Sequence, residues 1–313
     1  MALRWIPLDR EKYSSIVLLE FRNRVSGINI APDEAEIKAL ESLLDESATD
    51  DSLYNLISVD GNRIVAWASG KFSPLRLTDM IRTFFFDYQT LGSQGVDDLL
   101  YHLETALPFP YRRIEIYGLG PGRERDMDIV KESGYQEAYS ISHYQRIMGT
   151  NGPSITSPPV RFIHDIEFDS AFGIYKNAFA ESWELDQVDE KNFQRIISES
   201  DKRYTFICEH DGKNAGLVIV NRGLVDYDTY LQIIGVVKES RGDGIGDVIM
   251  NHLVSQLEEN YIKTISLSTY SDNRSMRNLL RRWKFVEQFQ ETILFKEDFT
   301  PPKNYVPDMR RVD

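Results

Sequence analysis

The chain contains one cysteine and no long apolar run. A single thiol, that of Cys208, cannot form a disulfide within the chain, and this cysteine usage is typical of a reducing compartment. No stretch approaches the length that crosses a bilayer, and residues 1–7 lack the sustained apolar segment of a secretion signal. We therefore expect a cytoplasmic protein with no membrane partner. Because the residues before Cys208 are mostly apolar, we expect a buried small residue there rather than a catalytic nucleophile.

Positive charge is scarce relative to negative charge. The 313 residues include 36 Lys and Arg against 49 Asp and Glu, which gives a formal net charge of -13. Such a surface repels nucleic acid, so nucleic acid is not an expected partner. The five histidines show no metal-ligand spacing, and the G-x-S-x-G pattern of α/β hydrolases is absent. The sequence therefore indicates neither a metal site nor a serine hydrolase.

The pattern of the chain repeats at an offset of 150 residues. Strand and helix patterns alternate, which predicts an α/β protein with mixed sheets, and each half contains a hairpin pattern around Asp-Gly, at 60–61 and at 211–212. Corresponding positions hold Tyr54 and Tyr204, His102 and His252, and Tyr135 and Phe285. Self-similarity of this kind predicts tandem copies of one domain. The alternative is a coincidence between two α/β segments.

The predicted boundaries follow from this repeat and from a stretch rich in Gly, Pro, Ser and Thr. Residues 149–159 read as a linker, because they have few side chains to pack and many that interrupt regular structure. The first domain then occupies residues 1–148 and the second occupies residues 160–299. Residues 300–313 form a tail.

The most informative stretch is a glycine-rich turn between a strand pattern at 231–237 and a helix pattern at 245–257. The turn reads Arg-Gly-Asp-Gly-Ile-Gly over residues 241–246. The first amides of a helix have no partner within the helix, and the summed peptide dipoles add positive charge there. A turn of this kind is therefore suited to binding a pyrophosphate.

The spacing of the glycines distinguishes between families of phosphate-binding turns. It fits neither G-x-G-x-x-G nor G-x-x-x-x-G-K-[ST]. It resembles the acetyl-CoA signature of the GNAT acyltransferases, Q/R-x-x-G-x-G/A, which residues 241–246 match at every defined position. Residues 273–285 resemble that family's later motif, N-x-x-A-x-x-L-Y-x-x-x-G-F, at Asn273, Leu279 and Phe285.

The resemblance implies a mixed sheet whose fourth and fifth strands separate, with acetyl-CoA as co-substrate in the opening. The pantetheine arm would meet the backbone of Val236, and the amides of residues 242–247 would hold the pyrophosphate. The residues that the resemblance assigns to the co-substrate are Val236, Arg241, Gly242, Asp243, Gly244, Ile245, Gly246, Asp247 and Asn273. In tandem members such as mycothiol synthase the C-terminal copy is active, and this architecture resembles theirs.

The catalytic residues depart from the family pattern. Leu280 stands where many members have a tyrosine as general acid, and leucine cannot donate a proton. The expected substitutes are Tyr270, just after the predicted fifth strand, and Ser271. Tyr230 stands where histone-type relatives have a catalytic glutamate, and alternation would place it on one face with Gln232, Ile234 and Asp228. Asp228 either acts through a water molecule or is simply solvated.

The first copy departs further from the signature. Leu91, Gln94 and Val96 occupy its three defined positions, so we expect a degenerate domain that does not bind acyl-CoA in the usual way. The leading hypothesis is an N-acetyltransferase that acts on an amine of a small molecule or peptide, by direct attack, in the second domain. The alternatives are a non-catalytic acyl-CoA-binding or interaction module and a structural pair without a co-substrate.

Overall fold

The computed structural model describes residues 3–9, 53–61, 63–73, 78–107, 113–117, 124–155, 158–182, 188–223 and 227–297. The fold is the predicted α/β arrangement with mixed parallel and antiparallel strands. The predicted tail at 300–313 lies outside the described residues.

From β2 in the first half and from β8 in the second, the described helices and strands follow one another in the same order. The first half contains β1 (Trp5–Pro7), β2 (Leu53–Asp60), β3 (Arg63–Ser73), β4 (Thr78–Phe86), α1 (Tyr88–Ala106), β5 (Arg113–Ile116), α2 (Glu124–Glu132) and β6 (Gln136–Ile147). The second half contains β7 (Val160–Ile163), α3 (Phe168–Ala178), α4 (Glu190–Glu199), β8 (Phe206–His210), β9 (Lys213–Arg222), β10 (Asp228–Val236), α5 (Ile245–Glu259), β11 (Thr264–Tyr270), α6 (Arg274–Arg282) and β12 (Val286–Glu297).

The first compact unit comprises residues 1–140 and 291–313. Its strands lie in the order β1, β2, β3, β4, β5 and the last part of β12. β4 and β5 are parallel, and the other pairs named in this unit are antiparallel. Helix α1 contributes its apolar stripe, with Val96, Leu99 and Leu103 fully buried, to the core of this unit.

The second compact unit comprises residues 141–290. Its strands lie in the order β6, β11, β10, β9, β8 and β7. Helices α5 and α6 pack on one face, where Leu253 and Leu280 belong to one core cluster. Helices α3 and α4 pack on the other face, where Ile174 and Phe193 belong to a second cluster. Each strand of this sheet that lies between helices therefore alternates between two cores.

Strands β10 and β11 are parallel and pair over only three residues, from Asp228 opposite Thr264 to Tyr230 opposite Ser266. β10 continues beyond Tyr230 to Val236, where it still pairs with β9. The two strands therefore separate after Tyr230, as expected of the fourth and fifth strands.

A bulge in β10 overturns one prediction. The register against β9 shifts between Leu231 and Ile233, so Gln232 is the extra residue. Leu231 consequently packs in the core beneath α5, whereas Ile233 packs in the core beneath α3. The prediction that Tyr230, Gln232 and Ile234 share a face is wrong. Ile234 packs on the α5 side, and Tyr230, as the neighbour of Leu231, lies on the opposite side.

The repeat at 150 residues is visible in matching strands and helix ends. β6 and β12 both have 12 residues and begin 150 residues apart. The amide of Tyr135 donates to the carbonyl of Val130 at 3.3 Å, and the amide of Phe285 donates to the carbonyl of Leu280 at 3.0 Å. The same closing hydrogen bond therefore ends α2 and α6.

The packing exchanges the ends of these two matching strands. From Ile141 onward β6 belongs to the second unit, where it pairs with β11, and from Glu291 onward β12 belongs to the first unit, where it pairs with β5. The predicted boundaries at 148 and 160 follow the order of the elements along the chain and stay a prediction.

Candidate active site

The glycine-rich turn between β10 and α5 is exposed. Gly242 and Gly244 have φ angles of 94° and 79°, in the left-handed region that side chains disfavour. A Cβ atom added to either residue would meet no protein atom within 4 Å. Helix α5 begins at Ile245, and no side chain caps its first turn. The sequence therefore leaves the start of this helix open.

The amide groups of the turn are available to a ligand. Among the described residues, no acceptor takes a hydrogen bond from the amides of Gly242, Asp243, Gly244, Ile245 and Gly246. The amides of Asp247 and Val248 both donate to the carbonyl of Gly244, at 3.0 and 3.2 Å. The amide of Asp247 therefore does not belong to the available set, contrary to the sequence prediction. The open amides lie at the positive end of the α5 dipole.

A cavity of about 480 Å³ adjoins the turn. Of the residues predicted to bind the co-substrate, it is lined by Val236, Arg241, Gly242, Gly244, Ile245, Gly246, Asp247 and Asn273. Asp243 is exposed on the turn and does not line this cavity. The structure thus brings together residues that lie up to 37 positions apart in the sequence.

Other lining residues carry no motif that sequence reasoning could use. The end of α3 contributes Ala178, and the residues after it contribute Phe179 and Ser182. Ser240 lies just before Arg241, and α6 contributes Ser275, Met276, Leu279 and Arg282. The apolar stripe of each helix does not distinguish a cavity wall from a core.

Two charged side chains at the turn are held by other groups. The Arg241 guanidinium donates to the carbonyls of Val236 at 3.2 Å and Ala178 at 2.7 Å, so it fastens the end of β10 to the end of α3. The Asp247 carboxylate accepts from Arg282 at 2.7 Å and from the indole nitrogen of Trp283 at 2.9 Å. These bonds fix the start of α5 against the end of α6.

Asn273 caps the helix that forms the far wall of the cavity. Its side-chain oxygen accepts from the amide of Met276 at 3.1 Å, which is the usual N-cap geometry. The residue therefore sets where α6 begins, and it also lines the cavity.

The three predicted catalytic residues lie along β10 and β11 and are not among the residues that line the cavity. Tyr230 is 37% exposed and stands at the last paired position before the strands separate. Asp228 begins β10 and accepts a hydrogen bond from the hydroxyl of Thr264. Tyr270 ends β11, and its carbonyl accepts from the amide of Asn273 at 3.0 Å.

Leu280 is completely buried in the core beneath α5 and α6. An apolar side chain that faces away from solvent thus occupies the position at which many family members have a tyrosine as general acid. Lys284, at the glycine position of the later motif, has a left-handed backbone with φ at 60°, as does Gly134 at the matching position of the first copy, with φ at 92°.

The corresponding residues of the first unit lie within a kinked helix. Residues 91–96 lie within α1, which begins at Tyr88, and only Gly92 keeps a positive φ, of 64°. The Asp87 carboxylate caps this helix by accepting from the amide and the hydroxyl of Thr90 and forms an ion pair with Arg63 at 2.6 Å. Because α1 kinks at Gly92, this carboxylate caps the helical segment before the kink and not the one that follows it, and the degenerate copy stays a prediction.

Cys208 is fully buried, and burial raises the pKa of its thiol to about 11. Its thiolate is therefore scarce near neutral pH, which argues against a nucleophilic role. In the described part of the chain no three His, Cys, Asp or Glu side chains cluster as a metal site would require. Of the helices described, none combines the length and the apolar character needed to cross a bilayer.

The family comparison identifies the domain that contains the open turn. Residues 163–285 match the model of the acetyltransferase (GNAT) family. Residues 163–285 form a GNAT acetyltransferase domain. Members of this family transfer acyl groups from acyl-CoA to amines of small molecules or peptides. A search of curated proteins gives no significant match.

Solved structures resemble the chain over nearly its whole length. A GCN5-related N-acetyltransferase from Sphaerobacter thermophilus has a TM-score of 0.71 at 13% identity, with 94% of this chain and 95% of that chain covered. A tandem GNAT protein from the clavulanic acid biosynthesis pathway has a TM-score of 0.61 at 12% identity, with coverage of 96% and 100%. At such identities the likeness establishes the fold, including the tandem arrangement. The GNAT domain at residues 163–285 contains the complete turn, α5 and α6.

Proposed function

We propose that this protein is an N-acetyltransferase that transfers the acetyl group of acetyl-CoA to an amine of a small molecule or peptide. Its active site would lie in the C-terminal GNAT domain. The observation that carries the proposal is the turn at residues 242–246, which is exposed at residues 242–244 and whose amides have no protein acceptor among the described residues. A diphosphate with two negative charges suits such a helix start.

The cavity walls favour a short acyl group. A Cβ atom added to Gly235 would lie 2.9 Å from the Phe179 ring and 3.0 Å from Cβ of Ala178, so α3 packs closely on β10 at this level. The pantetheine arm would pass Val236, where Arg241 holds the neighbouring backbone in place. This close approach leaves no room for a side chain at Gly235 and supports acetyl-CoA over longer thioesters.

The chemistry needs an acceptor for the proton of the amine and a donor for the departing thiolate. Bound acetyl-CoA supplies an activated carbonyl carbon. Tyr230 is the candidate that receives the amine proton, because it is exposed where β10 and β11 separate. Asp228 lies two residues earlier, and its carboxylate already accepts a hydrogen bond from Thr264, so it is less suited to receive the amine proton. Tyr270 remains the candidate donor, and a thiol pKa of about 8.5 makes the demand on it modest.

Two measurements test this proposal in sequence. Isothermal titration calorimetry with acetyl-CoA examines binding, and release of free CoA over a panel of polyamines, aminoglycosides and lysine-containing peptides examines transfer. We expect saturable heat and amine-dependent CoA release. No heat at millimolar acetyl-CoA would overturn both the enzymatic proposal and the binding alternative.

The second candidate function is a non-catalytic acyl-CoA-binding or interaction module. It is favoured by the burial of Leu280 at the usual position of the acid. Saturable heat together with no CoA release across a broad panel of amines would favour this alternative over catalysis.

A further inference from the structure

Three side chains of the second unit form a continuous hydrogen-bonded chain. The Tyr230 hydroxyl donates to the Ser268 hydroxyl, with 3.1 Å between oxygens, and Ser268 Oγ lies 2.8 Å from His143 Nδ1. The His143 ring stacks on Phe289, with ring centroids 4.3 Å apart and planes inclined by 20°. This stacking fixes the ring at the end of the chain.

The strand register places these groups together. Ser268 on β11 and His143 on β6 are directly opposite in an antiparallel pair, so their side chains project from the same face. Their sequence neighbours Leu267 and Tyr144 both belong to the core beneath α5 and α6, so the chain lies on the other face. Tyr230 reaches Ser268 from the last paired position of β10.

The hydrogen bonds give the chain a direction. A serine hydroxyl has one proton, and because Ser268 accepts from Tyr230, its own proton is available to His143 Nδ1. In the tautomer that carries its proton on Nε2, His143 accepts this hydrogen bond at Nδ1. In this tautomer the three hydrogen-bonded side chains lead from the exposed phenol of Tyr230 to a base, His143.

We propose that Tyr230, Ser268 and His143 form a proton relay that carries the proton of the acceptor ammonium away from the reacting nitrogen, with His143 as the terminal proton acceptor. This inference rests on the proposed N-acetyltransferase function. Tyr230 is the catalytic residue in it, because it meets the acceptor. Ser268 and His143 act through Tyr230.

The transfer balances without another reactant. One N–H bond of the ammonium breaks as its proton moves to Tyr230 Oη, while the original tyrosine proton moves to Ser268 Oγ and the serine proton moves to His143 Nδ1. Each hydroxyl ends with one proton, and His143 becomes an imidazolium. The freed lone pair of the amine forms the bond to the acetyl carbon, and the carbon–sulfur bond breaks with its electrons leaving on sulfur. The nitrogen then loses its second proton, which is taken up at the sulfur, so the products are the neutral amide and the CoA thiol.

The relay also explains how the first half of the sequence serves the second. His143 lies before the predicted linker, in β6, yet β6 from Ile141 onward belongs to the second unit. Sequence reasoning considered the histidines only as metal ligands and therefore missed His143. No spacing in the sequence connects His143, Tyr230 and Ser268, because the connection depends on the register of β6 against β11.

The decisive variant is His143→Asn. The Asn side-chain oxygen can accept from Ser268 as Nδ1 does, but it cannot take up a proton. We expect His143→Asn, Tyr230→Phe and Ser268→Ala each to lower kcat by about 100-fold for alkyl amines, which are protonated near neutral pH. The KM for acetyl-CoA should stay within about twofold. Aromatic amines, which are neutral at that pH, should lose much less activity.

Two controls and a rescue separate proton transfer from structural damage. Ser266→Ala changes the same face of β11 two residues earlier, and Tyr227→Phe removes an exposed phenol just before β10. Both variants should keep wild-type kcat. Added imidazole should restore part of the rate of His143→Ala. Wild-type kcat in His143→Asn, or equal losses for alkyl and aromatic amines, would overturn the relay while leaving acetyl transfer intact.

A measurement that needs no acceptor keeps the inference testable if no amine in the panel reacts. In nitrogen-15 histidine-labelled full-length protein, we expect His143 Nδ1 to give the signal of an unprotonated, hydrogen-bonded nitrogen, and Ser268→Ala to shift it. A protonated Nδ1, or a signal indifferent to Ser268→Ala, would overturn the relay. Calorimetry with acetyl-CoA on the same sample reports separately on the proposed function.

Discussion

At the scale of single residues, the glycines of the turn meet two different physical requirements. Gly244 needs a left-handed backbone, with φ at 79°, whereas Gly246 lies in the first turn of α5 without a positive φ. A Cβ on Gly246 would make only an ordinary contact of 3.7 Å with Leu279. The two positions therefore form a matched pair for mutation.

Gly244→Ala should weaken acetyl-CoA binding and Gly246→Ala should not. An alanine at position 244 costs about 1–2 kcal/mol in the left-handed region, and relaxation of the turn moves its amides, for an expected loss of affinity of about tenfold or more. Gly246→Ala should stabilise the helix by about 0.5–1 kcal/mol. Calorimetry and urea denaturation measure both effects. Equal affinity in the two variants would contradict the assigned role of the turn.

His252 offers a prediction on pH. Its burial, together with the nearby His164, lowers the pKa of His252 from 6.5 to about 4. The folded state thus keeps this ring neutral while the unfolded state takes up a proton, so the contribution to stability is complete above pH 6.5 and declines as pH falls toward 4. The full pKa difference would give about 3 kcal/mol, and partial exposure of the ring reduces our expectation to about 1–2 kcal/mol.

Urea denaturation of wild type and His252→Gln between these pH values measures that contribution. The variant should show a flatter dependence of the unfolding free energy on pH. His102→Gln, on the exposed side of α1, serves as the control and should retain the wild-type slope. An unchanged slope in His252→Gln would contradict the assigned pKa direction.

At the scale of elements, α2 and α6 end in the same way with different residues. Both close with an amide from the residue after a left-handed position, at Gly134 with φ 92° and at Lys284 with φ 60°. Glycine adopts this conformation without penalty, whereas lysine does not. The second copy therefore carries a local cost that the first copy avoids.

Lys284→Gly should stabilise the protein by about 1 kcal/mol, because the left-handed penalty disappears. Lys284→Ala removes the same charge but keeps a side chain, so it should change the unfolding free energy by less than about 0.5 kcal/mol. Gly134→Ala should have the opposite effect to Lys284→Gly. Thermal and urea unfolding of the three variants measure these changes. Stabilisation by Lys284→Ala alone would show that the charge of Lys284, and not its backbone conformation, lowers stability.

The same scale shows what could be predicted and what could not. The glycine turn, α5 and the paired hairpins follow from local residues, because turn chemistry and apolar periodicity act over a few positions. The bulge at Gln232 has no such local cause in the sequence, and it changes which face carries Ile234. The cavity walls from α3 and the bond from Ser268 to His143 depend on strand register, which pairs residues far apart.

At the scale of the molecule, each compact unit takes a strand end from the other half of the sequence. In the second unit β6 covers β11, Tyr144 enters the core, and Arg146 donates to the carbonyl of Trp283. A fragment cut at the predicted linker loses these contacts.

Residues 160–299 alone should therefore fold poorly, and residues 141–290 should fold better. Fragment 160–299 lacks β6, so the edge of β11 is exposed and the core loses the Tyr144 side chain. Both changes favour aggregation. Size-exclusion chromatography and circular dichroism melting compare the two fragments. A cooperative, monomeric fragment 160–299 as stable as fragment 141–290 would contradict the importance of the exchanged strand.

The central claim is that the open amides of residues 242–246 bind the pyrophosphate of acetyl-CoA. Its most direct test is a nitrogen-15 amide NMR titration of the full chain with acetyl-CoA, in which glycine signals are resolved by their chemical shift. We predict saturable shifts for Gly242, Gly244 and Gly246 and none for Gly92 and Gly95. Saturable binding that leaves the first three signals in place would contradict the account.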